Sequence, residues 1–296
     1  MSRGYPRGLQ AVPIMIWTLT KSPYHLSTLP DASATALSLI AQDMSEVDRI
    51  IHDRLSSGVP LVGQVSQYII AAGGKRLRPA LLLLMAKAIG FEGPQRHPMA
   101  AVVEFIHTAT LLHDDVVDES TLRRGRPTAN QSFGNPASVL VGDFLYSRAF
   151  QMMVESGQMR VMEVLAEATN VIAEGEVLQL MNTHDASLSE DDYLLVIRSK
   201  TAKLFEASAR LAPILAQSDA ATELACATYG QALGTAFQVV DDLLDYAGDS
   251  LDVAAYPETG QKKRERPSLP PSTTLASLSG HILFCCKTQS TQVQRV

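Results

Sequence analysis

Leu111-Leu112-His113-Asp114-Asp115-Val116-Val117-Asp118 sets three acids into an otherwise apolar stretch, and Phe237-Gln238-Val239-Val240-Asp241-Asp242-Leu243-Leu244-Asp245 repeats the arrangement much later in the chain. Each triplet runs i, i+1, i+4. On a helix that turns about 100° per residue, the second and third acids lie about 100° and about 40° from the first, so all three share one face. Like charges four apart destabilise a helix. The valines and leucines around them make the other faces apolar, which predicts acids away from the freely solvated surface. Carboxylates in such a place either take up protons or bind cations. Oxygen-only ligands favour Mg²⁺ or Ca²⁺. Two solvated acidic faces are the competing reading, but two copies in matching apolar settings fit it less well than one would. The pair also predicts two helices facing each other across one cavity.

Outward from the triplets, strand signals are almost absent and helical periodicity recurs. Apolar residues fall at helical spacing over Ala36–Leu55 and Leu61–Ile70. Pro60, Pro79, Pro98 and Pro136 stand where helices open. Ser189 with Asp192 reads as a capping box before a helix over Tyr193–Ala216. Gly90, Gly134 and Gly230 mark possible breaks. The pattern predicts an all-α chain with roughly eight helices between Ala36 and Ala247. After Gly248 the periodicity stops: prolines, a charge run over Lys262–Arg266 and many Ser and Thr predict a poorly ordered tail. Three segments result: an amino-terminal extension over 1–35, a helical domain over 36–248 and a divergent tail over 249–296.

Basic groups suited to diphosphate lie near the acids. Gly73-Gly74-Lys75-Arg76-Leu77-Arg78-Pro79 allows close backbone approach at its glycines, and Pro79 starts a helix whose free N–H groups favour an anion. Lys75 and Arg78 add charge and forked donors. No nucleotide P-loop fits, because Gly-Lys is followed by Arg. Arg123 and Arg124 follow the first triplet directly. His107, seven residues before Asp114, points about 20° from it and faces the same cavity. Lys200 and Thr201 lie on a later helix, where a solvated lysine face is the simpler reading. No nucleophile motif or dinucleotide fingerprint occurs.

Composition narrows the classes further. With 296 residues, 46% of them hydrophobic, the chain can bury a large core, and its net charge of −6 argues against nucleic acid as a partner. Cys226, Cys285 and Cys286 match no zinc or disulfide spacing, which predicts a reducing, cytoplasmic setting. No apolar run reaches the roughly 18 residues of a transmembrane segment. Arg3 and Arg7 before the apolar Val12–Trp17, with no acid ahead of Asp31, leave mitochondrial targeting as the alternative location.

Taken together, G-G-K-R-L-R-P at Gly73–Pro79, L-L-H-D-D-V-V-D at Leu111–Asp118, R-R-G at Arg123–Gly125, K-T-A at Lys200–Ala202 and F-Q-V-V-D-D-L-L-D at Phe237–Asp245 resemble the trans-isoprenyl diphosphate synthase family, most of all its long-chain members that make octaprenyl-type quinone side chains. The resemblance spans about Ala36–Gly248. It implies the isoprenoid synthase fold, a helical bundle around a central cavity, and a homodimer. It implies a magnesium-dependent prenyltransferase that condenses isopentenyl diphosphate with an allylic diphosphate, the product serving as a ubiquinone-type side chain. By the same resemblance, Asp114, Asp115, Asp118, Asp241, Asp242 and Asp245 hold three Mg²⁺ ions on the allylic diphosphate. Lys200, Thr201 and Gln238 then help hold that diphosphate, with Lys200 and the acids Asp114, Asp115, Asp118 and Asp241 central to catalysis. Lys75, Arg78, His107 and Arg124 bind isopentenyl diphosphate, with Arg123 nearer the allylic substrate. Short-chain members carry bulky aromatics one turn before the first acid. Ala109 and Thr110 stand there instead, which implies a long product. Past the second triplet the family continues with a Gly-Lys-bearing loop and more helices, of which Gly260-Gln261-Lys262-Lys263 is a faint echo. A class I terpene synthase and a truncated, impaired or non-catalytic partner subunit are the competing readings. The complete second triplet opposes the first, and only the tail favours the second.

Overall fold

The computed structural model describes residues 32–182 and 188–247, with side chains through Leu244; the expectations placed on the extension, on the tail and on the Asp245 side chain lie outside the described residues. One short helix, α1 (Ala32–Ser38), belongs to a separate amino-terminal unit that ends at Leu39. The main unit opens with α2 (Ala41–Arg54), α3 (Pro60–Ala71), α4 (Leu77–Ala88) and α5 (Arg96–Val117). A two-stranded hairpin follows, β1 (Leu122–Arg123) with β2 (Arg126–Pro127), and then α6 (Ala129–Phe133), α7 (Asn135–Glu155) and α8 (Met159–Met181). Beyond residue 187 come α9 (Glu190–Ile197), a π-helical turn (Arg198–Ala202), α10 (Lys203–Leu215) and α11 (Ala220–Ala247). This is an all-α fold, as expected, with more and shorter helices than the periodicity resolved.

Helix α5 is the hub. Of its residues from Met99 to Leu112, only His107, Thr110 and Leu111 escape full burial. It packs against α2, α4, α7 and α10. A helix this apolar on most sides has no solvent face to offer and is stable only when surrounded. Its start and stop are local. Pro98 sits in the first turn, where the missing N–H costs nothing. At the other end the Ser120 N–H reaches the Asp115 carbonyl and the Glu119 N–H reaches Val116, with Glu119 in the left-handed region at φ 50°. That pairing closes a Schellman turn immediately after the acids.

One expectation is corrected, and one element appears for which the sequence carried no signal. The helix over Tyr193–Ala216 is not continuous: Ser189 caps α9 through the Asp192 N–H as expected, but the π-turn over Arg198–Ala202 interrupts the run. The segment Arg123–Arg126 is a hairpin, with Arg124 and Gly125 both at positive φ, 52° and 73°. That is the pattern of a two-residue primed turn.

Glycines set how closely the later helices approach. A Cβ on Gly234 of α11 would stand 2.6 Å from the Ala202 Cα and 2.9 Å from the Phe205 Cβ, whereas one on Gly63 of α3 would meet nothing within 4 Å. Both sit inside helices, where alanine is intrinsically better. Gly63→Ala should therefore stabilise the protein by about 0.5–1 kcal/mol. For Gly234→Ala the clash outweighs propensity, and the net loss should be about 1–3 kcal/mol. Urea denaturation of the two variants reads the opposite signs directly.

Candidate active site

The first triplet does not act as three equivalent acids. Asp115 is fully buried, and both of its oxygens accept from Arg123, Oδ2 from Nε at 2.9 Å and Oδ1 from Nη2 at 2.8 Å. The hairpin makes this possible by folding the chain back so that Arg123 returns to α5. Asp114 instead meets the Lys200 ammonium, whose Nζ lies 3.7 Å from Oδ2. Burial holds the Asp114 carboxyl above the usual range; Asp118 and Asp115 add to this, while Lys200 and Arg123 oppose it. The single shared face expected from the spacing thus divides, because 100° is far enough around the helix to aim Asp115 at the hairpin.

In the second triplet, on α11, the middle acid again has protein partners. Asp242 accepts from the Tyr193 hydroxyl at 2.7 Å and from Gln238 Nε2 at 2.9 Å. Gln238 Oε1 in turn accepts from the Thr201 hydroxyl at 2.8 Å. The middle acid of each triplet is therefore tied to protein donors.

The π-turn joins the two halves. Lys200 reaches the α5 acid and its neighbour Thr201 reaches α11. On α8, Glu176 Oε2 accepts from Lys200 Nζ at 2.6 Å. Burial, reinforced by Asp114, pushes the Glu176 carboxyl up to about 7, against the pull of Lys200. Burial beside Asp114 and Glu176 also pushes Tyr146 up to about 12. Glu176, Tyr193 and Tyr146 were not singled out in the sequence. Glu176 did carry a signal: Gly175 beside it, a glycine inside a long helix, marks a close approach.

The basic groups gather beside the middle of α5, about two turns before the acids. Gly73, Arg76, Glu104, His107, Thr108 and Arg124 line a narrow pocket. Gly74 earns its place here, since a Cβ would stand 3.0 Å from both terminal nitrogens of Arg124. Arg76 sits at φ 48° just ahead of α4, and its Nη1 donates to the buried Glu104 at 2.6 Å, which pins the loop to α5. Helix α4 begins at Leu77, so Pro79 stands in its first turn rather than at its start. Arg78 lies 4.6 Å above the Phe205 ring, donates to His107 Nε2 at 3.1 Å, and leaves its Nε without a protein partner. Burial lowers Arg78 to about 10. Burial and the arginines 78, 123, 124 and 76 hold His107 well below its ordinary value. His107 is therefore a neutral imidazole that accepts from Arg78 through Nε2, with its proton on Nδ1. Lys75 is exposed on the loop and does not line the pocket. Ala109 is fully buried in the core, whereas Thr110 is only partly covered.

Buried, charge-frustrated carboxylates are the donors a hard cation prefers. Among the described residues no three His, Cys, Asp or Glu side chains converge into a complete cage. Mg²⁺ ordinarily takes only one or two carboxylates and completes its shell with water and phosphate oxygen, so this donor set fits it.

The polyprenyl synthetase family profile matches residues 59–254. Octaprenyl diphosphate synthase from Escherichia coli K12 is 57% identical over 211 residues, which cover 71% of this chain and 65% of that protein. The chain thus spans a little under two thirds of that relative's length. Among solved structures, a decaprenyl diphosphate synthase from Rhodobacter capsulatus superposes with a TM-score of 0.71 at 53% identity, covering 72% of this chain and 66% of that one. A polyprenyl synthase from Caulobacter crescentus, complexed with calcium and isoprenyl diphosphate, gives 0.70 at 50% identity, covering 72% and 65%.

Proposed function

Because the chain belongs to the polyprenyl synthetase family and has its all-α isoprenoid synthase fold, we propose that it is a trans-polyprenyl diphosphate synthase, extending an allylic diphosphate with isopentenyl diphosphate to a long-chain, octaprenyl-like product for ubiquinone-type side chains. The observation that carries this reading is the π-turn. It sets one cation, Lys200, and one hydroxyl, Thr201, between two acid-bearing helices, as a diphosphate bridged to carboxylates requires.

In this reading Asp114 and Asp118 on α5, with Asp241 and Asp245 on α11, would hold Mg²⁺, three ions in all; Asp115 and Asp242 anchor the two motifs through Arg123 and Tyr193. The chemistry that bound Mg²⁺ supplies is neutralisation of charge on the departing pyrophosphate. Lys200, Thr201 and Gln238 hold the allylic diphosphate. Arg78, neutral His107 and Arg124, with Lys75 from the loop, hold isopentenyl diphosphate. The allylic C–O bond breaks, the isopentenyl double bond attacks the resulting cation, and the released pyrophosphate takes the proton. The protein needs no nucleophile for this. Incubation with radiolabelled isopentenyl diphosphate and an allylic primer should give long-chain product that excess EDTA abolishes. Full turnover in EDTA, or no incorporation once the chain is shown to be folded, would end the proposal.

Product length is assigned to the turn before Asp114. Ala109 is packed in the core, so a phenylalanine there would overpack it. Thr110 is the accessible position, and Thr110→Phe should shorten the product toward C15–C20, as separated by chain length. An unchanged product would place the stop elsewhere.

Homodimer formation is also proposed. Leu140 and Val154 of α7 are 66% and 64% exposed and lie with Phe150 on one side of the helix. Sedimentation at micromolar concentration should give twice the chain mass; a folded monomer would refute it. No described helix is long and apolar enough to cross a membrane.

A further inference from the structure

Glu176 has no part in the proposed diphosphate site, yet it holds the lysine on which that site turns. Lys200 Nζ stands 2.6 Å from Glu176 Oε2 and 3.7 Å from Asp114 Oδ2, so one ammonium lies between two carboxylates and is bonded to the one that is not a proposed cation ligand. The three side chains are only 21%, 27% and 16% exposed, so water screens them weakly. The placement is rigid. A Cβ on Gly175 would fall 2.8 Å from the Ser199 Cβ and 2.9 Å from the Lys200 backbone nitrogen, which means that α8 touches the π-turn at the residue carrying the lysine. Gly175 permits the contact, and its neighbour Glu176 uses it.

We propose that Glu176 is a positioning residue that draws the Lys200 ammonium off Asp114 and so keeps that carboxylate open to a divalent cation. The inference rests on the reading of Asp114 as a cation ligand. Without Glu176, the nearest anion left to Lys200 is Asp114. An ammonium paired there would occupy the lone pairs and cancel the charge that a cation needs. With Glu176 in place the lysine stays within reach of a diphosphate oxygen without blocking the acid beneath it.

A double-mutant cycle on the full chain tests this, with Mn²⁺ as the probe and its free-ion EPR signal as the readout. E176Q should weaken Mn²⁺ binding by about five- to tenfold. K200Q alone should tighten it only modestly, by less than about threefold, because the lysine, 3.7 Å from Asp114, is held mainly by Glu176. The E176Q/K200Q double variant should return to within about twofold of the parent protein. E176D, which keeps the charge on a shorter arm, should recover much of the E176Q loss. If K200Q tightened binding equally in both backgrounds, Glu176 would act through its charge alone and the proposal would fall. If E176Q bound Mn²⁺ as the parent does, or if the double variant stayed as weak as E176Q, it would fall too; the second result would mark a purely structural role. A parent protein that binds no Mn²⁺ would overturn the metal-site reading itself, an outcome distinct from the others.

Discussion

Asp114→Asn should lower kcat/KM for isopentenyl diphosphate incorporation by roughly a thousandfold or more, since a cation acting on a departing pyrophosphate is worth several kcal/mol. The same substitution should leave the fold intact and even firm it slightly. Burial raises the Asp114 carboxyl above the usual range, so at neutral pH its charge is a cost to the unliganded protein that Lys200 only partly offsets. A neutral amide of the same shape removes that cost. The expected pattern is a lost activity with an unchanged or raised denaturation midpoint. Near-normal turnover would remove Asp114 from the mechanism. Lost activity together with an unfolded chain would show a structural acid instead.

Arg123→Met should do the reverse at the neighbouring residue. Asp115 is wholly buried and its two oxygens have a bidentate guanidinium as partner. Deleting the arginine leaves an uncompensated carboxylate inside α5, and breaking such a pair typically costs about 3–5 kcal/mol. The parent's margin is of similar order for a domain of ordinary stability, so the variant should show a much lower urea midpoint. Adding Asp115→Asn should recover part of the loss, because a neutral amide needs no counter-charge. Equal stability of Arg123→Met and the parent would mean that the pair is not what holds the hairpin to α5.

These opposite outcomes come from adjacent acids that look interchangeable in the sequence. Spacing located both triplets and predicted their apolar settings, and proline positions marked the first turns of α3, α4, α5 and α7, since these are properties of single elements. What spacing could not supply was the partner. Arg123 reaches Asp115 only because Arg124 and Gly125 take positive φ, and a hairpin with two-residue strands is too short to show alternation. The π-turn was hidden for a related reason: apolar periodicity is helical on both sides of it, so a five-residue change of pitch leaves the pattern continuous. Glu176 belongs to no motif that the sequence displays. Its neighbour Gly175 was the available clue, and it becomes legible only when the backbone it touches is known. His107 was read from its spacing alone, but its lowered basicity follows from burial and from arginines 78, 123, 124 and 76, which α4, the loop ahead of it and the hairpin bring to it.

The π-turn also bears on how related chains should be aligned. A wider turn absorbs an extra residue within the same helical run, so it behaves as a one-residue insertion that needs no loop to house it. Removing one residue between Arg198 and Ala202 would let α9 and α10 fuse into an unbroken helix. Everything amino-terminal to the deletion would then rotate by about 100° and advance about 1.5 Å. Tyr193 would leave Asp242. Lys200 and Thr201, which now reach Asp114 and Gln238 from the π-turn, would be re-aimed relative to those partners. A homologue whose alignment shows a single gap in this stretch is therefore not the same site with one residue missing: its grip on an anion would have to be built from a different pair of side chains.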